Sequence, residues 1–259
     1  MLFDAPLWLS GIVLVLGLAG FSLAAQKLAR RWVVPRLHMG AHEGEYPSMI
    51  IHSVMVFYAL VAALVAVSVW ERYTLVHERA SNEASTIASV WRDLGGYPSP
   101  VRENLRDLLR GYTEFLIHDA WPEYRKGRIP PEGSERLDRF QDELMAFEPH
   151  SESQKILHAE TLRAYNQMVL ARRLRVDTVG VGLPVVIWMV VILGGLISIC
   201  ASVLFPLADT RYQAILVMSL STLIALVVLM ILALDQPFQG DLGIGPESLE
   251  RVHDHLMTR

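Results

Sequence analysis

The sequence predicts an all-α membrane protein with four transmembrane helices and a helical extramembrane domain inserted between the second and third. Three observations carry this. Four apolar runs are each long enough to cross a hydrocarbon core of about 30 Å at a rise of about 1.5 Å per residue. The polar stretch at residues 74–181 repeats its apolar residues at helical spacing, and no segment of useful length alternates with the period of a strand. The composition agrees: of 259 residues, 52% are hydrophobic and only 19% charged, and the mean hydropathy is +0.32.

The first span occupies residues 7–25, with Trp8 at its entry and the basic, aromatic stretch Gln26-Lys27-Leu28-Ala29-Arg30-Arg31-Trp32 at its exit. Residues 1–6 carry no basic charge, so this run is expected to be a retained span rather than a cleaved export signal. His38 and His42 in the connector stand at i, i+4, but Gly40 and Gly44 weaken the helix that would align them, and no metal is expected there. The second span, about residues 49–69, passes into the polar sequence up to Leu94 with no glycine or proline. One helix is therefore expected to begin in the bilayer and end well outside it.

In the polar region, Val101, Leu105, Leu108, Leu109, Tyr112, Phe115 and Leu116 form one amphipathic face, and Leu137, Phe140, Leu144 and Phe147 a shorter one. Breakers at residues 95–100, 127–133 and 148–151 separate these helices. Ser134 and Ser151 are the expected N-caps, the latter three residues before Gln154 as in a capping box. A last polar helix spans residues 152–176. The third span (183–205, with Gly194-Gly195 inside) and the fourth (213–234) form a hairpin, and a tail helix over residues 246–257 closes the chain. The parts are thus residues 1–73, 74–181, 182–237 and 238–259.

Several function classes find no support. A net charge of -4 with no arginine-aromatic stripe argues against a nucleic-acid partner. Cys200, the single cysteine, lies in an apolar run and is expected to be a buried packing residue, so neither a disulfide nor a thiolate metal cluster can form. No nucleophile elbow, P-loop, HExxH or dinucleotide glycine pattern occurs, so neither an enzyme nor a bound cofactor is expected.

A set of short motifs is more specific. Glu45-Tyr46, Trp70-x-x-Tyr73, Asn82-Glu83-Ala84-Ser85, Arg110-x-Tyr112, Ala120-Trp121-Pro122-Glu123, Arg172-Arg173-x-Arg175, Leu183-Pro184-x-x-Ile187-Trp188 and Leu234-Asp235-x-Pro237-Phe238-x-Gly240 cover residues 45–250. Together they resemble the bestrophin-like family of bacterial membrane proteins, which is distantly related to the bestrophin anion channels. The resemblance implies a homo-oligomer, a pentamer in bestrophins, with the second span lining a pore for chloride or other small anions. It also implies a bacterial inner-membrane location, with both termini and the 74–181 domain in the cytoplasm. Counting basic residues near the membrane leaves that orientation balanced.

On this reading Ile51, Met55, Tyr58 and Ala62, at i, i+4, i+7 and i+11, are the expected constriction, with His52 beside it as the one ionisable side chain well inside a span. Glu71 and Arg72 would line a polar vestibule, and no acidic ring points to cation selectivity, so an anion-permeable or weakly selective pore is expected. Trp70, Tyr73, Asp235, Pro237 and Phe238 are expected structural motif residues, with Asp235 accepting local backbone bonds at the Pro237 turn. In true bestrophins a calcium clasp follows the Pro-Phe-x-Gly motif; here Asp241 is followed by Leu242, Gly243 and Ile244, which removes the acidic run a calcium site requires. The rival reading is a membrane-anchored scaffold or regulator that does not conduct.

Overall fold

A computed structural model describes residues 6–36, 45–204 and 209–258. Among them every regular element is helical, with no strand. The helices are α1 (Leu7–Leu28), α2 (Glu45–Leu94), α3 (Val101–Phe115), α4 (Trp121–Tyr124), α5 (Glu132–Met145), α6 (Glu152–Val176), α7 (Val185–Val203), α8 (Thr210–Asp235) and α9 (Glu247–Val252). Leu7–Arg36, Ser48–Leu94, Val185–Val203 and Thr210–Asp235 are long and apolar enough to cross a membrane. The chain is a polytopic membrane protein with four such helices. His38 and His42 lie outside the described residues.

Two compact units are formed, one from Met1–Glu71 with Gly182–Asp235, the other from Arg72–Val181 with Gln236–Arg259. Helix α2 contributes to both, since its only proline, Pro47, falls in the first turn where no intrahelical N–H is lost.

In the first unit α1 packs along α8. Gly11 permits this approach, because a Cβ there would lie 2.9 Å from Leu229 Cδ2. At the far end of α1 the buried Gln26 donates to the Thr210 carbonyl at 3.3 Å, and Arg30 donates to Gln213 Oε1 at 2.6 Å and to the Thr210 hydroxyl. Helix α2 presents Ala62, Ala66 and Val69 as its buried side. The Gly194-Gly195 step of α7 receives the Tyr58 ring: a Cβ on Gly194 would come within 2.5 Å of Tyr58 Cδ2. Cys200, expected to be buried, instead lies on the exposed side of α7.

In the second unit the predicted amphipathic faces meet. Leu105, Leu109, Tyr112 and Leu116 from the α3 region, Phe140 and Leu144 from α5, and Ile87 and Leu94 from α2 are all fully buried. Each such aliphatic side chain contributes about 1.5–3 kcal/mol relative to exposure. Ser151 caps α6 with the reciprocal Gln154 bond expected of a capping box. Ser134 does not cap α5. That helix starts at Glu132, the Ser134 N–H donates to the Pro131 carbonyl, and the Ser134 hydroxyl instead accepts from Arg172 at 3.2 Å. The tail is part of this core rather than an appendage, since Phe238, Ile244, Leu249 and Met257 are buried in it. His253 is half-buried, with Nε2 3.3 Å from Glu114 Oε1.

Candidate functional site

Two features stand out: the membrane-spanning part of α2, and a buried polar centre in the helical unit.

Along α2 the buried and exposed sides are clearly separated. Of the expected constriction, Ile51 and Met55 are half-buried, Ala62 is buried at 5% exposure, and the Tyr58 hydroxyl donates to the Val191 carbonyl of α7 at 3.1 Å. Met55, Tyr58 and Ala62 line an apolar cleft of about 470 Å³ together with Ser198, Ile224 and Val227. The apolar stripe read from the sequence is thus the side α2 turns toward α7 and α8. The opposite side carries Val56, Phe57, Leu60 and Leu64, all more than half exposed, while Val67 borders the cleft. His52, Ser53 and Ser68 are exposed as well. Ser53 and Ser68 satisfy their hydroxyls on the carbonyls of Met49 and Leu64, both at 2.9 Å. At the end of the apolar stretch Trp70 and Glu71 are exposed and Arg72 is half-buried.

Helices α1 and α7 lack this polarity, whereas α8 exposes Ser219, whose hydroxyl donates to the Ile215 carbonyl at 2.9 Å. Among the described residues the membrane stretch of α1 exposes only apolar side chains and glycines between Trp8 and Ala24, and α7 exposes only apolar residues and Cys200. Lipid-facing helices have this character, because an unsatisfied polar group in hydrocarbon costs several kcal/mol.

The second feature assembles the sequence motifs. Glu83 and Arg175 sit in the buried stripes of α2 and α6, where Val76, Ala80, Ile87 and Val90, and Thr161, Tyr165 and Met168, mark the registers. A charge inside an apolar register is the signal that could have paired these two residues from the sequence. Both side chains are fully buried and form an ion pair in which Arg175 Nε donates to Glu83 Oε2 and an Arg175 Nη donates to Glu83 Oε1 at 3.2 Å. The Tyr112 hydroxyl donates to the same Oε1 at 3.0 Å. The Arg175 guanidinium carbon lies over the Tyr124 ring at 4.7 Å and the Trp121 ring at 5.1 Å from the centroids, an Arg175 Nη donates to the Tyr124 hydroxyl at 3.5 Å, and Nη1 is buried without a hydrogen-bond partner among the described residues. Burial works against this charge, but the Glu83 carboxylate more than offsets it and holds the guanidinium protonated, above its ordinary range.

The Pro-Phe-x-Gly segment closes onto that centre. Phe238, 2% exposed, meets the Trp121 ring edge-to-face at 5.9 Å, and Trp121 Nε1 donates to the Ile244 carbonyl at 2.8 Å. The Tyr73 hydroxyl donates to the Leu242 carbonyl at 2.9 Å, and the Ile244 N–H returns to the Pro237 carbonyl at 2.7 Å. Asp235 differs from its expected local role. Its carboxylate accepts from the Leu183 N–H at 2.6 Å and from Trp188 Nε1 at 3.2 Å, tying the end of α8 to the start of α7.

The loop does not fit calcium, which takes six to eight oxygens. Asp241 is the one carboxylate between Gln236 and Pro246, and the carbonyls of Pro237, Gly240, Leu242 and Ile244 already accept hydrogen bonds within the unit.

A four-span helical membrane protein, with a helical domain organised on a buried arginine–carboxylate centre and a Pro-Phe-x-Gly strap, is the class that this fold and site define. The chain belongs to the Bestrophin-like family: the family model described as a Bestrophin-like domain matches residues 16–249. Its fold is that of a bacterial bestrophin homologue from Klebsiella pneumoniae. A crystal structure of a leucine-to-threonine variant of that protein superposes with a TM-score of 0.71 at 12% identity, covering 96% of this chain and 98% of the other. An isoleucine-to-alanine variant of the same homologue gives a TM-score of 0.62, also at 12% identity, over 95% and 97% of the two chains. No curated protein matches the chain.

Proposed function

We propose that the protein is an oligomeric ion channel of the bestrophin kind, with α2 lining the conduction path by the side it turns away from its own protomer. The carrying observation is the contrast between helices. His52, an ionisable side chain, is exposed on α2 within its apolar stretch together with Ser53 and Ser68, whereas α1 and α7 expose apolar surface with only glycines and Cys200 besides, and α8 adds a single back-bonded serine, Ser219. An ionisable side chain in a span, as His52 is, faces a cavity or a partner rather than lipid.

On this reading Val56, Leu60 and Leu64 form the hydrophobic neck, which gates by dewetting, with His52 at its entrance. Ile51, Met55, Tyr58 and Ala62 seat the helix against α7 and α8 and set the neck's width. Glu71 and Arg72, just past the apolar stretch, line the polar mouth. A neck of aliphatic side chains selects weakly, so small anions such as chloride pass with modest preference. The number of subunits is carried over from bestrophins as five, and the location as the bacterial inner membrane with the helical unit in the cytoplasm.

Planar-bilayer recording of the purified full chain tests this. Channel currents are expected, with a small reversal-potential shift in a chloride gradient, and Leu60→Ser raises the conductance several-fold by wetting the neck. Light-scattering mass in detergent is expected at a multiple of the 29.1 kDa chain. A monomeric, electrically silent protein overturns the reading and favours the membrane-anchored scaffold, in which a partner co-purifies with the helical unit.

A further inference from the structure

Apart from any conduction path, one end of the first unit gathers cations and aromatic rings in a way the channel reading does not use. Helix α1 leaves its regular pitch in a π-type turn, Ala29–Val33, before a last short turn, Val34–Arg36. The extra residue in such a turn shifts the helical phase. Arg30 then reaches α8, donating to Gln213 Oε1 and the Thr210 hydroxyl, while its neighbours Arg31 and Trp32 point outward. The Arg30 bonds also place Arg211 and Tyr212, at the start of α8, beside the end of α1. Lys27, Arg31 and Arg211 are exposed and form no ion pair among the described residues. Leu28, Trp32 and Tyr212 are each more than half exposed around them. Asp209, the nearest described carboxylate in sequence, spends its Oδ1 on the N–H groups of Arg211 and Tyr212.

We propose that this collar binds the headgroups of anionic phospholipids. The location supplies the occupant: the collar lies where two apolar spans end, so its aromatic and aliphatic side chains sit at headgroup depth. The charge supplies the selection. Residues 27–47 and 205–213 hold five Lys and Arg against three carboxylates, Glu43, Glu45 and Asp209. Cations on long flexible stems next to interfacial aromatics match a phosphodiester above an acyl chain. A soluble anion would leave Leu28 and Trp32 exposed and gain nothing from them.

The test uses full-length protein stripped of lipid in a zwitterionic detergent. Phosphatidylglycerol, phosphatidylcholine or inorganic phosphate is then added, read by thermal midpoint and by lipid retained in native mass spectrometry. Phosphatidylglycerol is expected to raise the midpoint and to be retained, with the effect fading at high salt. The combined Lys27→Gln, Arg31→Gln and Arg211→Gln variant weakens that binding by between about tenfold and 100-fold. The charge-keeping Arg31→Lys and Arg211→Lys variant, and Arg139→Gln with Arg173→Gln in the helical unit, bind as the parent does. Equal responses to the two phospholipids, an unchanged triple variant, or a response to inorganic phosphate matching that to phosphatidylglycerol would each overturn the proposal. A silent bilayer recording would leave it standing, since no step of it depends on conduction.

Discussion

Arg175 and Glu83 lie 92 residues apart and form an ion pair in which both side chains are fully buried. Taking one partner away strands the other as an uncompensated charge, and that cost exceeds the net worth of the pair. Arg175→Met is therefore expected to cost about 3–5 kcal/mol. Glu83→Leu combined with Arg175→Met recovers most of this, since two apolar groups leave nothing unpaired. Thermal denaturation of the three proteins in detergent checks it: additive losses in the double variant would contradict the pairing.

Tyr112 shares that centre and gives it a pH signature. Burial, and after it the negative charge of Glu83, hold its phenol protonated well above the ordinary tyrosine range. A phenol whose pKa is raised by folding contributes stability that is complete below its unfolded value of about 10 and is lost as the pH climbs through its folded value. The thermal midpoint is expected to fall above about pH 10, and to fall less steeply in Tyr112→Phe. At neutral pH that variant loses about 1.5–3 kcal/mol, the worth of a hydrogen bond to a charged group. Equal slopes above pH 10 would remove Tyr112 as the source.

In the membrane unit, Gly194 and Tyr58 are fitted to one another. Gly194→Ala places a methyl 2.5 Å from the Tyr58 ring, whose hydroxyl is held on the Val191 carbonyl. Overpacking of this kind costs about 1–3 kcal/mol. Tyr58→Leu removes the ring and should relieve the clash, so the double variant is expected to be more stable than the sum of its singles. A double-mutant cycle on thermal midpoints measures the coupling, and an additive result would show that Tyr58 simply moves aside.

The strap at Phe238 is expected to be a site of local opening. Phe238→Ala empties a position buried against Trp121 and Tyr124, at about 3–5 kcal/mol, and frees the turn that follows. Limited proteolysis should then cut between Gln239 and Leu242 in the variant before it cuts the parent. Trp121→Phe, which keeps the ring packing but drops the bond to the Ile244 carbonyl, should fall between the two. Identical cleavage in all three would exclude the strap.

Much of the fold was legible in the chain. Hydropathy and length located all four spans, and breakers at Gly95-Gly96 and Glu148-Pro149 bounded the polar helices. Helix α6 begins and ends where its capping box and its arginine-rich end had placed it. Local rules fail where a partner is distant. Ser134 has the chemistry of an N-cap, yet Pro131 starts the helix earlier and Arg172 takes the hydroxyl. Asp235 has the chemistry of a turn residue, yet Leu183 and Trp188 claim its oxygens.

The sequence by itself determined that this is a four-span helical membrane protein with a helical insertion, because spacing, length and breakers act within a few residues of one another. The motifs also marked its family. Which side of α2 packs inward was decided only in three dimensions. In a span every face is apolar, so periodicity finds a stripe without saying whether protein, lipid or a conduction path covers it. The same holds for Glu83 and Arg175. Each is an ordinary charge in its own helix, and only the tertiary fold, by burying both where neither can be solvated, makes them partners.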